Sequence, residues 1–263
     1  EDAVQNVAQA GKLIDEAVAK APLKDPLIYI EAAEAYIHYK NKDLDKAKLL
    51  LDKASGIDPK NIEINLLYGD IYAELVNGTL SADYYNKALE LDKTSVRAIV
   101  SKGRLYKRST NYEGAAEEFQ RAVQIDSSYA PAHRELGEAY FKLGKLEKAK
   151  AEYRKYLELS KNNCGARIRY ASFLYISKSY SEALSELASV AQRCDSNNLT
   201  MLRIQSYSYY EEKNYEQALG AIEHLFRIVP MEKRLDKDFE YYGKTLIAQN
   251  KDSLGIEQLQ KAF

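Results

Sequence analysis

A spacing of 34 residues runs through the chain: Gly69, Gly103 and Gly137 are separated by it, and each is followed three residues later by a tyrosine, Tyr72, Tyr106 and Tyr140. Ala88 and Ala122 keep the same phase, as do Ala115, Ala149 and Ala183, and the apolar series Ile57, Leu91, Ile125 and Leu159. A fixed period of this size means small supersecondary units that cannot bury their apolar faces alone and do so by stacking on neighbours. It restricts the fold to a repeat array and directs the search for function to a binding surface rather than a single catalytic cleft.

The stretch 130–163 shows what one unit is. Ala132, Leu136, Ala139, Tyr140 and Leu143 recur at three- and four-residue steps, the signature of an amphipathic helix. Gly144-Lys145 interrupts the pattern, and Leu146, Ala149, Tyr153 and Leu157 resume it as a second helix. The unit is a helix–turn–helix with small residues, Gly137 and Ala149, where the helices cross, and with Tyr140 and Tyr153 filling the space beside them. Larger residues at the crossing would overpack it.

This unit resembles the tetratricopeptide repeat (TPR). The family's order of small residue, aromatic, alanine, aromatic, alanine falls in 96–129 on Gly103, Tyr106, Ala115, Phe119 and Ala122, with Ser127 where proline is common. In 62–95 the same places hold Gly69, Tyr72, Ser81, Tyr85 and Ala88, followed by Lys93, and in 130–163 Tyr156 stands in place of the last alanine. The unit 26–61 carries Ala33, Tyr36, Ala47, Leu51, Ala54 and Pro59, with two extra residues in its turn around Lys40-Asn41-Lys42. Ala171, Leu174, Ala183, Leu187 and Val190 mark 164–197, while Ser206, Tyr209, Ala218, Ile222, Leu225 and Pro230 mark 199–232. Gly243, Leu246, Gly255, Leu259 and Ala262 mark an incomplete 236–263. The resemblance implies an all-α fold: one right-handed α-α superhelix over 1–263, a solenoid of about seven repeats, some partial.

At the start, 1–25 reads as one helix of a partial repeat, with Ala10, Ile14 and Ala17 in phase and Pro22 closing it. Both ends, with Ala262-Phe263 inside a second helix, read as cut within a repeat, the expectation for a segment of a longer protein; a natural end covered by a partner is the alternative. Between Pro230 and Asp236 the register slips by about three residues, which predicts a bend.

Lys and Arg number 38 against 39 Asp and Glu, a net charge of −1, which argues against polyanion binding and so against nucleic acid as the partner. No apolar run is long enough to insert in a membrane. His38, His133 and His224 lie in separate units without metal-ligand spacing, and no phosphate loop or nucleophile elbow occurs, so neither cofactor, metal nor enzyme activity is expected. His133 reads as a packing residue. Cys164 opens one helix and Cys194 closes its antiparallel partner, so their helix ends meet. The two are candidates for a disulfide, which would favour an exported or periplasmic setting over the cytoplasm; two free thiols are the alternative. Asn77-Gly78-Thr79 and Asn198-Leu199-Thr200 match the glycosylation sequon.

The resemblance also implies a concave groove lined by the first helices. Carried onto this chain, its basic and aromatic positions are Arg97, Arg104, Lys107, Arg134, Phe141, Tyr175, Arg203, Tyr207 and Tyr210, with Val100, Glu138, Ile168 and Ser172 between them. The first full unit presents Leu27, Ile30, Glu34 and Ile37, and the last Lys237, Glu240, Lys244 and Ile247. Guanidinium groups beside tyrosines suit a partner segment that is both acidic and aromatic. The family's carboxylate clamp for chaperone tails is not matched, since Asp70, Arg104, Ser101 and Glu135 occupy the places where it needs asparagines. The reading is a non-enzymatic protein–protein interaction module using the groove. Its alternative is a scaffold subunit of a larger envelope or secretion assembly, which includes end-to-end self-association.

Overall fold

The computed structural model describes residues 2–20, 24–38, 42–161, 163–190, 194–195 and 197–262, with the side chains of 2–10 and 190 left aside. Pro22, Lys40, Asn41 and Phe263, and the side chains of Ala10 and Val190, lie outside the described residues. Among the described residues there are fifteen α-helices. A lone α1 (Asp2–Ala19) precedes the pairs α2 (Pro26–His38) with α3 (Leu44–Ile57), α4 (Ile62–Glu74) with α5 (Gly78–Leu91), and α6 (Val96–Arg108) with α7 (Tyr112–Ile125). Then follow α8 (Ala130–Lys142), α9 (Leu146–Leu159), α10 (Cys164–Ile176) with α11 (Tyr180–Val190), α12 (Leu199–Glu211) with α13 (Tyr215–Ile228), and α14 (Asp236–Ala248) with α15 (Asp252–Gln260).

The chain divides into two compact units, Glu1–Ala149 and Lys150–Phe263. Within each, helices pack pairwise as in a TPR solenoid: the members of a pair on each other, each second helix on the next first helix, and first helices on first helices. The core of the first unit is built from Ala33, Ile37, Leu51, Leu67 and Ile71, and further along from Ile99, Val100, Phe119 and Leu136. In the second unit the core holds Leu202, Tyr207, Ile222, Leu225 and Tyr241. Tyr153 stacks there on Phe173 with ring centroids 4.4 Å apart.

The close approach of paired helices has a visible cause. A Cβ placed on Gly69 would sit 2.3 Å from the Tyr85 ring, and one on Gly103 would sit 2.5 Å from the Phe119 ring. Both aromatic side chains come from the second helix of the pair and are buried. Ser81 replaces the usual alanine at one crossing without penalty, because its buried hydroxyl donates to the Gly69 carbonyl at 2.9 Å. His133 is likewise a packing residue, buried with Nε2 3.0 Å from the Ser127 carbonyl. Tyr156, also buried, accepts from the Arg169 guanidinium across to α10.

The turns inside the pairs share one backbone solution. Val76, Thr110, Gly144 and Lys178, again 34 residues apart, all have positive φ, between 56° and 71°. Only one of the four is glycine, so Val76 and Thr110 hold β-branched side chains in a region such residues rarely enter. The next residue caps the second helix at two of these turns: Asn77 accepts from the Leu80 amide and Asn111 from the Gly114 amide. Asn77 and Asn198, the sequon asparagines, both serve as N-caps.

Cys164, first residue of α10, and Cys194 are bonded, with Cα atoms 5.7 Å apart. The slip after Pro230 is taken up by a 3₁₀ turn at Met231–Lys233.

Two substitutions should move stability in opposite directions. Gly103→Ala should destabilise by about 1–3 kcal/mol, since Phe119 has nowhere to go, whereas Val76→Gly should stabilise by about 1 kcal/mol by relieving the left-handed conformation. Urea unfolding midpoints of the two variants check both signs.

Candidate functional site

In the first unit, α4 and α6 bring their polar faces together around a cavity of about 240 Å³. Ile37, Val100 and Leu105 form its apolar wall, and Arg97, Arg104 and Arg108 contribute three guanidinium groups. Asp70 lines it too, accepting from the Tyr85 hydroxyl at 2.6 Å. Burial pushes the Asp70 carboxyl up from its ordinary value, against the opposing pull of the Tyr85 hydrogen bond and the Arg97 charge.

These cations are not idle. Arg97 bridges Glu63 and Glu34, the latter at 3.1 Å. Arg108 donates to the Ala73 carbonyl at 2.9 Å and pairs with Glu74 at 3.5 Å. Beside them, Glu135 is a buried hub, only 3% exposed, with Arg104 at 2.9 Å, Arg134 at 2.7 Å and Lys107 as a third partner. Lys107 also donates to Glu138 at 2.7 Å. Burial by itself would raise the Glu135 carboxyl. The Lys107 hydrogen bond and the Lys107 and Arg104 charges outweigh it and hold the group at about 2. A carboxylate so enclosed is a structural charge that fixes three cations, leaving them little freedom to receive a ligand.

The second unit carries a different surface. Asp238 on α14 is fully buried and accepts from Arg203 in bidentate fashion (2.9 Å from Nε and from Nη2), from the Tyr207 hydroxyl and from the Leu235 amide at 2.8 Å. It joins α12 to the start of α14. Around it the tyrosines gather: Tyr207 stacks on Tyr241 at 4.2 Å, Tyr210 meets Tyr241 edge-on, and the Tyr175 and Tyr241 hydroxyls are 3.1 Å apart. The Tyr241 hydroxyl donates to Glu211 at 2.6 Å. The exposed Lys237 ammonium lies 5.0, 5.5 and 5.7 Å from the ring centres of Tyr175, Tyr207 and Tyr241. Burial, then the bond to a carboxylate, pushes the Tyr207 and Tyr241 phenols up, so both act as hydrogen-bond donors at neutral pH.

The residues expected to line the groove thus fall into three roles. Arg97 and Arg104 do share the cavity of the first unit, while Lys107 and Arg134 belong to the Glu135 hub. Phe141 is half-buried on α8 and outside the cavity lining. In the second unit Tyr175 and Tyr210 are half-buried, whereas Arg203 and Tyr207 are tied to Asp238, Tyr207 being only 4% exposed. Sequence reasoning missed Arg108 and His38, which face the cavity, and the anchoring roles of Glu135, Asp238 and Tyr241. The available signal was the acids themselves, standing at first-helix positions where a solvated face would not need them.

Among the described residues no group of three or more His, Cys, Asp and Glu side chains could hold a metal ion, and no helix is long and apolar enough to cross a membrane.

Family profiles described as tetratricopeptide or TPR repeat match residues 32–96, 103–144 and 130–163. No curated protein matches the chain. Among solved structures, the pilF protein of Pseudomonas aeruginosa is similar at 24% identity and a TM-score of 0.63, covering 83% of this chain and 94% of that one. YrrB, described as a TPR protein with an unusual peptide-binding site, is similar at 20% identity and a TM-score of 0.54, covering 80% and 97%. PilW, a type IV pilus biogenesis factor, is similar at 21% identity and a TM-score of 0.52, covering 87% and 89%. At these identities the likeness is one of fold.

Glu135 should make stability pH-dependent with a defined sign. Its folded pKa of about 2 lies below the ordinary 4.5, so its contribution is full above pH 4.5 and is lost as pH falls towards 2. Glu135→Gln should therefore destabilise by about 2 kcal/mol at pH 7, after allowance for the exposure of its partners. The difference from the parent should shrink below pH 4.5, as read from urea midpoints along a pH series.

Proposed function

We propose that this chain, a tetratricopeptide-repeat protein, works as a non-enzymatic interaction module, needing no cofactor, whose first unit receives a carboxylate-bearing, partly apolar segment of a partner protein. The observation that carries the reading is the convergence of Arg97, Arg104 and Arg108 on one cavity with an apolar wall. Of the three, Arg97 and Arg108 are the exchangeable ones. Their present ion pairs are half-exposed (37% for Arg97 with 39–42% for its partners), and such pairs contribute only about 0–1 kcal/mol. A ligand carboxylate can replace them at small cost, while Arg104 stays fixed by buried Glu135. In the second unit, the half-buried rings of Tyr175 and Tyr210 with exposed Lys237 give a further surface of rigid aromatic contacts suited to an acidic–aromatic segment.

A photo-crosslinking residue placed at Ser101, which lines the cavity, should capture the partner in the native cell. The pair Arg97→Ala and Arg108→Ala should reduce capture about tenfold or more. Capture only from an outer position such as exposed Glu117, undiminished by the arginine changes, would overturn the groove reading.

The disulfide supports a second reading, a scaffold in an envelope or secretion assembly. A bridge closing a 30-residue separation suits an oxidising compartment, and PilW, one of the fold relatives, is a type IV pilus biogenesis factor. On this reading the protein is exported and most of the cellular pool carries Cys164 and Cys194 oxidised. Acid quenching of cells followed by thiol alkylation reads this out as the absence of alkylated cysteine; two alkylated thiols would exclude the exported setting.

A further inference from the structure

The break in the repeat period builds a second pocket. Four residues, 126–129, connect α7 to α8, but seven, 229–235, connect α13 to α14. The longer connection forms the 3₁₀ turn and lies along a cavity of about 540 Å³ walled by α13, α14 and α15, a size common for ligand sites. Its apolar side is aromatic: Phe226 meets Phe239 edge-on at 5.2 Å and lies tilted against Tyr242 at 4.8 Å. Met231, on the inserted turn, lines the same cavity and is 65% exposed. An exposed thioether beside half-buried rings is an apolar surface kept accessible, and it is adaptable in shape.

The turn is pinned rather than loose. Arg234 donates to the Phe226 carbonyl at 2.7 Å and to the Val229 carbonyl at 3.1 Å, and its guanidinium lies 4.6 Å from the centre of the Phe226 ring. The pocket is thereby preformed. Its lining charge is mostly positive: Arg227, Arg234 and Lys261 face a single lining acid, Glu223, and of the three cations Lys261 is paired with Glu257 at 2.7 Å. Arg234 donates to main-chain carbonyls and lies over a ring, contacts that do not neutralise its positive charge as a carboxylate would.

We propose that this pocket is a binding site for a protein segment in which a bulky aromatic side chain stands between carboxylates. The ring packs against Phe226 and Tyr242 beside Met231, and the carboxylates pair with Arg227 and Arg234. Charge complementarity selects this occupant, since a basic or neutral apolar segment would bring no negative charge to Arg227 and Arg234. The site shares no residue with the Arg97–Arg108 cavity and stands whether or not that cavity is used.

The probe is the capped pentapeptide Asp-Glu-Phe-Asp-Glu, titrated into the full chain with backbone amide NMR as the readout. Saturable shifts should gather at Phe226, Met231 and Tyr242. The amidated analogue Asn-Gln-Phe-Asn-Gln and the ring-free Asp-Glu-Ala-Asp-Glu should each bind about tenfold more weakly, as should the charge-reversed surface variant Arg227→Glu with the parent peptide. Arg97→Ala should leave the titration unchanged. The proposal is overturned if no saturation is seen by about 10 mM peptide, if the shifts gather elsewhere, or if either analogue or Arg227→Glu binds as well as the parent.

Discussion

The rest of the structure hangs on the contact between a glycine on the first helix of a pair and an aromatic ring on the second. Gly69 against Tyr85 and Gly103 against Phe119 leave no room for even one more carbon. This contact sets how near two helices lie, and with it the direction in which every other side chain of the first helix points. In the last pair the ring is dispensed with: Gly243 faces the Gly255 backbone, and a Cβ there would come within 2.7 Å of its carbonyl oxygen. The chain thus brings paired helices into close contact by two routes, a ring seated in a glycine notch and backbone on backbone.

Once the first helices are held at that spacing, their polar faces are close enough for carboxylates to be trapped between cations. Glu135 and Asp238 are each almost or fully buried, and each gathers donors from a neighbouring helix: Arg104 and Lys107 in one case, Arg203 and Tyr207 in the other. A buried pair of this kind contributes specificity of placement more than net stability, because desolvation offsets much of the attraction. Its consequence for binding is a division of labour. Cations locked on buried acids shape the surface, and cations on exposed acids remain open to exchange.

The fold was legible in the sequence because the crossing contact allows few residue types. Glycine or alanine opposite tyrosine, phenylalanine or leucine, returning every 34 residues, announces helix pairs from Pro26 to Ala248. The site was less legible, because the same letter serves two purposes. Arg97 and Arg203 both stand at groove positions, the second and the fifth of their first helices, yet one holds half-exposed glutamates and the other a fully buried aspartate. That difference lies in the partner helix and in depth of burial, neither of which the local pattern encodes. Arg108 shows the converse: a side chain one step past the expected groove positions still reaches the cavity wall. The division into two compact units at Ala149–Lys150 likewise left no mark on the periodic residues, since α9 runs through it without a break in the repeat.

Positions that obey the period are committed to packing, so they have little latitude to differ from repeat to repeat. Latitude resides in the connections. The four from α3–α4 to α9–α10 are four residues long and do no more than turn the chain, but 229–235 has length to spare and uses it to set Met231 beside a ring cluster near two arginines. The same logic holds on a smaller scale at the intra-pair turns, where Val76 and Thr110 keep a β-branched side chain in a left-handed conformation that Gly144 adopts freely. In a repeat protein the departures from the period are therefore where residues are free to do something other than stack, and in this chain the slip after Pro230 coincides with a preformed pocket lined by Arg227 and Arg234.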